Sequence, residues 1–163
     1  MFTQERLGLN NKSFNIYKYR TMIESNGLNL ADYQRITLLG RILRVLRLDE
    51  IPQIYNILRG DMSFIGPRPL LKEYLKYFTT KELRRHEVRP GLSGLSQVKS
   101  SYPSWEQQFE YDIQYVDNMS FRLDVIIFFM TFKKIIRPTK KLISGHAGRP
   151  RLDYSRLNAE RNV

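Results

Sequence analysis

The chain has 163 residues, room for one domain with a real core, and its 42% hydrophobic content with 9 Gly and 7 Pro excludes a disordered composition. Lys and Arg number 27 against 16 Asp and Glu, a formal charge of +11 that favours an anionic partner: a phosphate-bearing small molecule, nucleic acid or an anionic membrane surface. The absence of cysteine excludes disulfides and thiolate metal sites, and no apolar run approaches the ~20 residues of a membrane-spanning helix. The N-terminus, MFTQERLGLNNKSF, lacks a signal-peptide pattern, which predicts a protein that stays inside the cell.

Residues 1–22 read as short extended pieces, with turn residues at Asn10, Asn11 and Lys12 and alternation through Phe14, Ile16, Tyr17 and Tyr19. From Ile36 to Leu48 the period becomes helical: Ile36, Leu39, Leu43 and Leu46, with Leu38 and Ile42, form an apolar face, and Arg41, Arg44 and Arg47 recur on another side. Asp32 or Thr37 would cap this helix. Its basic amphipathic pattern fits a core-facing helix with a solvated basic face, or one that meets lipid or phosphate. Pro52 suits the first turn of a second helix with Ile51, Ile54, Tyr55 and Leu58 as its apolar side and Gly60 as its stop.

Residues 60–69 then read as a turn-rich loop. Leu70 to Phe78 and Lys81 to Val88 are predicted helices, the second capped by Thr79 or Thr80. Another loop, opened by Pro90, Gly91 and Gly94, runs to Pro103. Ser104 with Gln107 forms a capping-box pattern that starts a helix through about Val116, in which Trp105 and Phe109 pack the core. Arg122 to Ile136 is the last helix; its Phe128, Phe129 and Phe132 serve as a buried helix end or as an interfacial anchor. The remainder is basic and Gly/Pro-punctuated, which divides the chain into a domain at 1–138 and a flexible tail at 139–163. The predicted class is α/β in the broad sense, an α-rich α+β domain with a short β element near the N-terminus.

Chemistry concentrates in residues 48–69, LDEIPQIYNILRGDMSFIGPRP. Asp49 and Glu50 lie just before a helix start, where unpaired N–H groups favour anions, so they are either simple caps or a working acid pair. Asp61 follows Gly60, and Arg68 stands between Pro67 and Pro69 on a stiff loop. An arginine fork there can grip phosphate oxygens or make a surface salt bridge. A carboxylate can hold a Mg²⁺ that bridges a diphosphate, or attack phosphorus itself. Together these residues point to phosphoryl transfer.

Several ordered motifs resemble the bacterial sugar transferase family, the monotopic polyprenol-phosphate phosphoglycosyl transferases. They are QERLG (4–8), FNIYKYRTM (14–22), LDEIPQ (48–53), GDMSFIGPRPL (60–70), RPGLSGLSQV (89–98) and DIQYVDNMSFRLD (112–124), and the likeness runs from Phe2 to about Ile136. The resemblance implies transfer of a phosphosugar from a UDP-sugar to polyprenol (undecaprenyl) phosphate, with Mg²⁺, at the cytoplasmic face of a bacterial inner membrane. That reaction would be the first membrane step of a surface glycoconjugate: an exopolysaccharide, capsule, O-antigen or glycoprotein glycan.

By the same resemblance Asp49 is the nucleophile that carries the phosphosugar and Glu50 the Mg²⁺ ligand. Arg68, with Pro67 and Pro69, serves nucleotide recognition; Asp112 and Asp124 match downstream acids that serve either substrate and catalysis or the fold. Arg44, Arg47, Arg68 and Arg89 would join Mg²⁺ in neutralising the donor diphosphate. The family also implies an apolar helix dipping into the inner leaflet directly before the segment matching residues 2–8. After Gln97-Val98 the family usually has Gly-Arg-Asn, where this sequence has Lys99-Ser100-Ser101-Tyr102, so the sugar stays open, as does homo-oligomerisation.

The rival class is a non-catalytic or degenerate basic protein that binds anions at a membrane periphery. LGRILRVLR can imitate a nucleic-acid-binding helix, but no nucleic-acid motif accompanies it, and nucleic acid is not predicted as a partner. His86, within RRHEV, is read as a satisfied or solvent-facing histidine, or else a phosphate contact.

Overall fold

In the computed structural model, which describes residues 1–24, 32–100, 103–136, 151–153 and 155–156, the N-terminal alternation becomes a hairpin. Strands β1 (Phe2–Leu7) and β2 (Ser13–Lys18) pair antiparallel, with Phe2 opposite Lys18 and Leu7 opposite Ser13. Asn10 and Asn11 take left-handed backbone angles in the connection (φ 52° and 61°), a conformation asparagine tolerates better than most residues. Alternation turns Ile16 into the core and puts Lys18 on the same face.

Helix α1 (Leu38–Val45) is capped by Thr37, whose hydroxyl accepts the Gly40 N–H at 2.9 Å. Gly40 is buried because a Cβ there would sit 2.1 Å from the Thr21 carbonyl oxygen, so only glycine lets α1 lie this close to the chain leaving β2. Leu38, Leu39, Ile42 and Leu46 are exposed. The apolar face of α1 therefore points away from the core, against the core-facing reading.

Arg47, in the left-handed region at φ 59°, ends α1 and turns the chain into a tight 3-10 turn, Leu48–Glu50. Pro52 then leads into α2 (Gln53–Leu58). Here the expected polarity is inverted: Gln53 and Asn56 are buried, and Ile51, Ile54, Tyr55 and Leu58 are exposed. The reason is an edge. The Asn56 side-chain amide donates to the Asn15 carbonyl at 2.7 Å, and its oxygen accepts the Tyr17 N–H at 3.3 Å, so a polar side chain covers the open edge of β2. Gly60, at φ +80°, stops the helix as predicted.

Both predicted loops contain structure. β3 (Ser63–Ile65) lies in the first and pairs parallel with β4 (Gly91–Ser93) in the second, which continues into α4 (Leu95–Lys99). These strands of three residues are too short to show a period, and glycines let the two segments approach closely: a Cβ on Gly91 would sit 2.1 Å from the Gly66 nitrogen. Between them, Leu70 to Phe78 forms a 3-10 helix at Lys72–Tyr77, and α3 (Thr80–Leu83) begins at a Thr79–Glu82 capping box before the 3-10 turn Arg84–His86. Helix α5 (Trp105–Asp117) opens on the Ser104–Gln107 capping box, and α6 (Phe121–Ile136) closes the domain.

The core has two parts. One gathers Ile65, Leu95, Val98, Tyr115 and Ile127; the other gathers Leu70, Tyr74, Trp105, Phe109 and Leu152. Trp105 and Phe109 stack in the second, as their spacing predicts. Of the stretch 139–163, only 151–153 and 155–156 lie among the described residues, and there Leu152 is fully buried. The architecture is the α-rich α+β domain expected, with two two-stranded sheets among the described residues. Among the described residues no helix is long and apolar enough to cross a membrane.

Candidate active site

Asp49 and Glu50 are both buried, in the 3-10 turn between α1 and α2. The Tyr19 N–H donates to the Asp49 carbonyl at 2.9 Å and ties this turn to the end of β2. Glu50 is clamped by cations from three segments. Lys18 Nζ (2.9 Å) and Arg68 Nη2 (3.2 Å) meet Oε1, and Arg47 Nη1 meets Oε2 at 3.3 Å. Burial alone would raise the pKa of Glu50, but Arg68, Lys18 and Arg47 together outweigh it and hold the carboxyl far below its ordinary range. Burial in turn lowers the pKa of Lys18, against the attraction of Glu50.

Asp49 is in the opposite state. No side chain hydrogen-bonds to its carboxylate among the described residues; burial first, and then the charge of Glu50, raise its pKa against Lys18 and Arg44. Two adjacent acids driven apart in this way are the pattern that separates a reacting carboxylate from a permanently ionised one.

The other predicted site residues divide. Arg47 and Arg68 join the cluster; Pro67 and Pro69 are buried and stiffen the loop, with the Pro67 carbonyl accepting the Gly91 N–H at 3.0 Å. Arg44 donates to the Thr21 hydroxyl at 2.8 Å, and its charge reaches Asp49. Arg89 is exposed, has no ion-pair partner among the described residues, and does not join the Glu50 cluster. Asp61 lies at the far end of α2, 3.6 Å from Arg59 Nε.

Asp112 and Asp124, expected among substrate-binding residues, are occupied elsewhere. Asp112 is fully buried against Arg85 and Ser96, which removes it from direct substrate contact. Asp124 accepts the Tyr115 hydroxyl at 2.8 Å. His86 is buried and not solvent-facing. Its ring packs on Phe78, and burial, with Arg85 beside it, lowers its pKa to about 3, so it stays neutral.

Sequence reading missed Lys18 and Arg85. The available signal for Lys18 was the alternation that sets it on the face of buried Ile16, where a lysine needs a carboxylate partner. Arg85 was hidden in the run Arg84-Arg85-His86, which reads as solvated.

Among the described residues no three His, Asp or Glu side chains gather around one point. Mg²⁺ does not require such a group, because one or two carboxylates with substrate phosphates complete its shell. Asp49 and Glu50 supply hard oxygen donors of the type Mg²⁺ takes, and at Glu50 the ion would share the carboxylate with Lys18, Arg47 and Arg68.

Comparison with known proteins gives the lineage of this arrangement. A profile of the bacterial sugar transferases matches residues 1–138, the whole segment that builds the cluster. The chain belongs to the bacterial sugar transferase family. This sugar transferase domain is 48% identical over 139 residues to an uncharacterised sugar transferase of Bacillus subtilis, covering 83% of the chain and 69% of that protein. It is 39% identical over 148 residues to the UDP-N-acetylgalactosamine-undecaprenyl-phosphate N-acetylgalactosaminephosphotransferase of Aeromonas hydrophila, covering 83% of the chain and 35% of that protein. It is 37% identical over 150 residues to a UDP-glucose:undecaprenyl-phosphate glucose-1-phosphate transferase of Caulobacter vibrioides, covering 83% and 56% respectively. The domain thus spans between about a third and two thirds of these relatives' lengths.

Proposed function

We propose that this chain is a phosphoglycosyl transferase that moves a sugar phosphate from a UDP-sugar to undecaprenyl phosphate, with Asp49 as the nucleophile. The observation that carries this reading is the contrast between Glu50, clamped by Lys18, Arg47 and Arg68, and the Asp49 carboxylate, to which no side chain hydrogen-bonds among the described residues. The printed activities of the relatives agree with it, since two of the three name an undecaprenyl-phosphate acceptor and a UDP-sugar donor.

An Asp49 carboxylate oxygen attacks the sugar-bearing phosphorus, and the bond from that phosphorus to the bridging oxygen breaks. UMP leaves with that oxygen and its electron pair. An oxygen of undecaprenyl phosphate then attacks the same phosphorus, breaks the aspartyl–phosphorus bond and returns Asp49 as a carboxylate. Arg68 and Arg47 hold negative charge that would otherwise repel an anionic nucleophile. Glu50 would hold Mg²⁺, which when bound neutralises donor phosphate charge. The product is the lipid-linked sugar from which a surface glycan grows, formed where a bilayer meets the cytoplasm.

A panel of UDP-sugars incubated with the protein, undecaprenyl phosphate and Mg²⁺ should release UMP with at least one donor. Asp49→Asn should lower that rate by at least about 10³-fold, because the residue forms the covalent bond. Wild-type turnover by Asp49→Asn would rule out the assignment. Binding to anionic vesicles without UMP release from any donor would restore the non-catalytic reading.

A further inference from the structure

We propose that the buried Arg85–Asp112 pair is a positioning device for donor recognition, holding the Arg68 loop from behind by its backbone. The inference rests on the reading of Arg68 as a nucleotide contact. Arg85 and Asp112 are each 1% exposed, so neither meets a substrate. A single nitrogen, Arg85 Nη2, donates to Asp112 Oδ2 at 2.7 Å and to the Arg68 carbonyl at 2.7 Å. Arg85 Nε donates to the same carboxylate oxygen at 3.1 Å, and Ser96 Oγ donates to the other at 3.0 Å. Bonds from both sides lock the carboxylate, the carboxylate locks the guanidinium, and the guanidinium fixes the peptide that carries the Arg68 side chain.

Stability alone does not account for this pair. Well-packed apolar residues of similar volume often replace a buried ion pair at no loss, yet none could donate to the Arg68 carbonyl. The single proton of the Tyr115 hydroxyl goes to Asp124 at 2.8 Å, so the Ile65 carbonyl at 3.4 Å is a contact and not a second brace. The Arg68 carbonyl is held through Arg85 and Asp112. Catalytic and binding groups need placement to a fraction of an ångström, and a shift of about 1 Å can cost on the order of 100-fold.

The test is a double-mutant cycle read by UMP affinity, with melting curves as the control for folding. Arg68→Ala and Arg85→Lys should each weaken UMP binding about tenfold, and Arg85→Lys should add less than about twofold in the Arg68→Ala background. Ser96→Ala, which deletes one bond to Asp112 and disturbs the fold little, should weaken UMP binding about threefold with the same suppression by Arg68→Ala. Additive losses would mean that Arg85 does not act through Arg68, and unchanged affinity in both Arg85→Lys and Ser96→Ala would overturn the device altogether. If Arg68→Ala itself binds UMP as the wild type does, the reading of Arg68 falls first and the inference with it. Weakening by Arg68→Ala but not by Arg85→Lys overturns the coupling alone.

Discussion

Arg47 performs two tasks that can be separated. Its side chain meets Glu50 at 3.3 Å, and its backbone sits at φ 59°, where a non-glycine residue costs about 1–2 kcal/mol. That conformation ends α1 abruptly and swings Asp49 and Glu50 beneath the Lys18 and Arg68 side chains, so the strain lies where the site needs it. Arg47→Gly and Arg47→Ala remove the same cation, but only glycine is relaxed at this angle. The glycine variant should therefore be more stable than the alanine variant by about 1 kcal/mol, a difference of about 2–4 °C in melting temperature for a domain of this size. Both should lose UMP-releasing activity to the same extent. Equal melting temperatures would show that the turn is not strained; unequal activities would show that backbone and charge are not separable.

At the scale of elements, α2 is a helix whose polarity reads one way in sequence and packs the other way. Its apolar spacing gave a correct helix and a wrong interior, because periodicity reports which residues share a face and not what covers that face. What covers the polar face is the β2 edge, a backbone partner invisible to side-chain pattern. The extended N-terminal pieces, the Thr79 cap, the Ser104 capping box and the Gly60 stop were legible because each signal is local. β3, β4 and the Arg85–Asp112 pair were not, because they join residues 27 or more apart through glycine contacts and buried charge. The acid pair was legible as chemistry, and the contrast between Asp49 and the clamped Glu50 required the fold.

For α2 the consequence is an inverted mutational profile. Asn56→Ala leaves the Tyr17 N–H and the Asn15 carbonyl without their side-chain partner in a buried place, and should cost about 2–3 kcal/mol. Ile54→Glu with Leu58→Glu alters exposed positions only, and should change stability by less than about 1 kcal/mol. Chemical denaturation of the three proteins decides this. A larger loss from the glutamates than from Asn56→Ala would place the apolar face inside after all.

Among the described residues three helices present exposed apolar faces, and the whole chain has a formal charge of +11. Leu38, Leu39 and Ile42 stand out from α1, Leu58 is 81% exposed on α2, and Phe121, Phe128, Phe129 and Phe132 stand out from α6, with Phe121 at 86%. Leu48 and Ile51, on either side of the buried acid pair, are exposed as well. Burial first, and then the charge of Arg47, lower the pKa of Lys134 near the end of α6. Water is a poor medium for so much apolar surface, whereas a bilayer interface accepts aromatic and leucine side chains beside basic ones. Such an interface is also where the phosphate of a lipid acceptor resides, so a docked face would bring that phosphate to Asp49 without lifting its chain into water. The protein should sediment with vesicles containing anionic lipid, more weakly with neutral ones, and added salt should reduce the binding without abolishing it, since only the charge contribution is screened. Phe128→Ser with Phe129→Ser and Phe132→Ser should lower vesicle partitioning by at least about tenfold at an unchanged melting temperature, because these side chains face out of the fold. Retention of full vesicle binding by that variant would move the docking surface away from α6, and failure of the wild type to sediment would remove the membrane from the account.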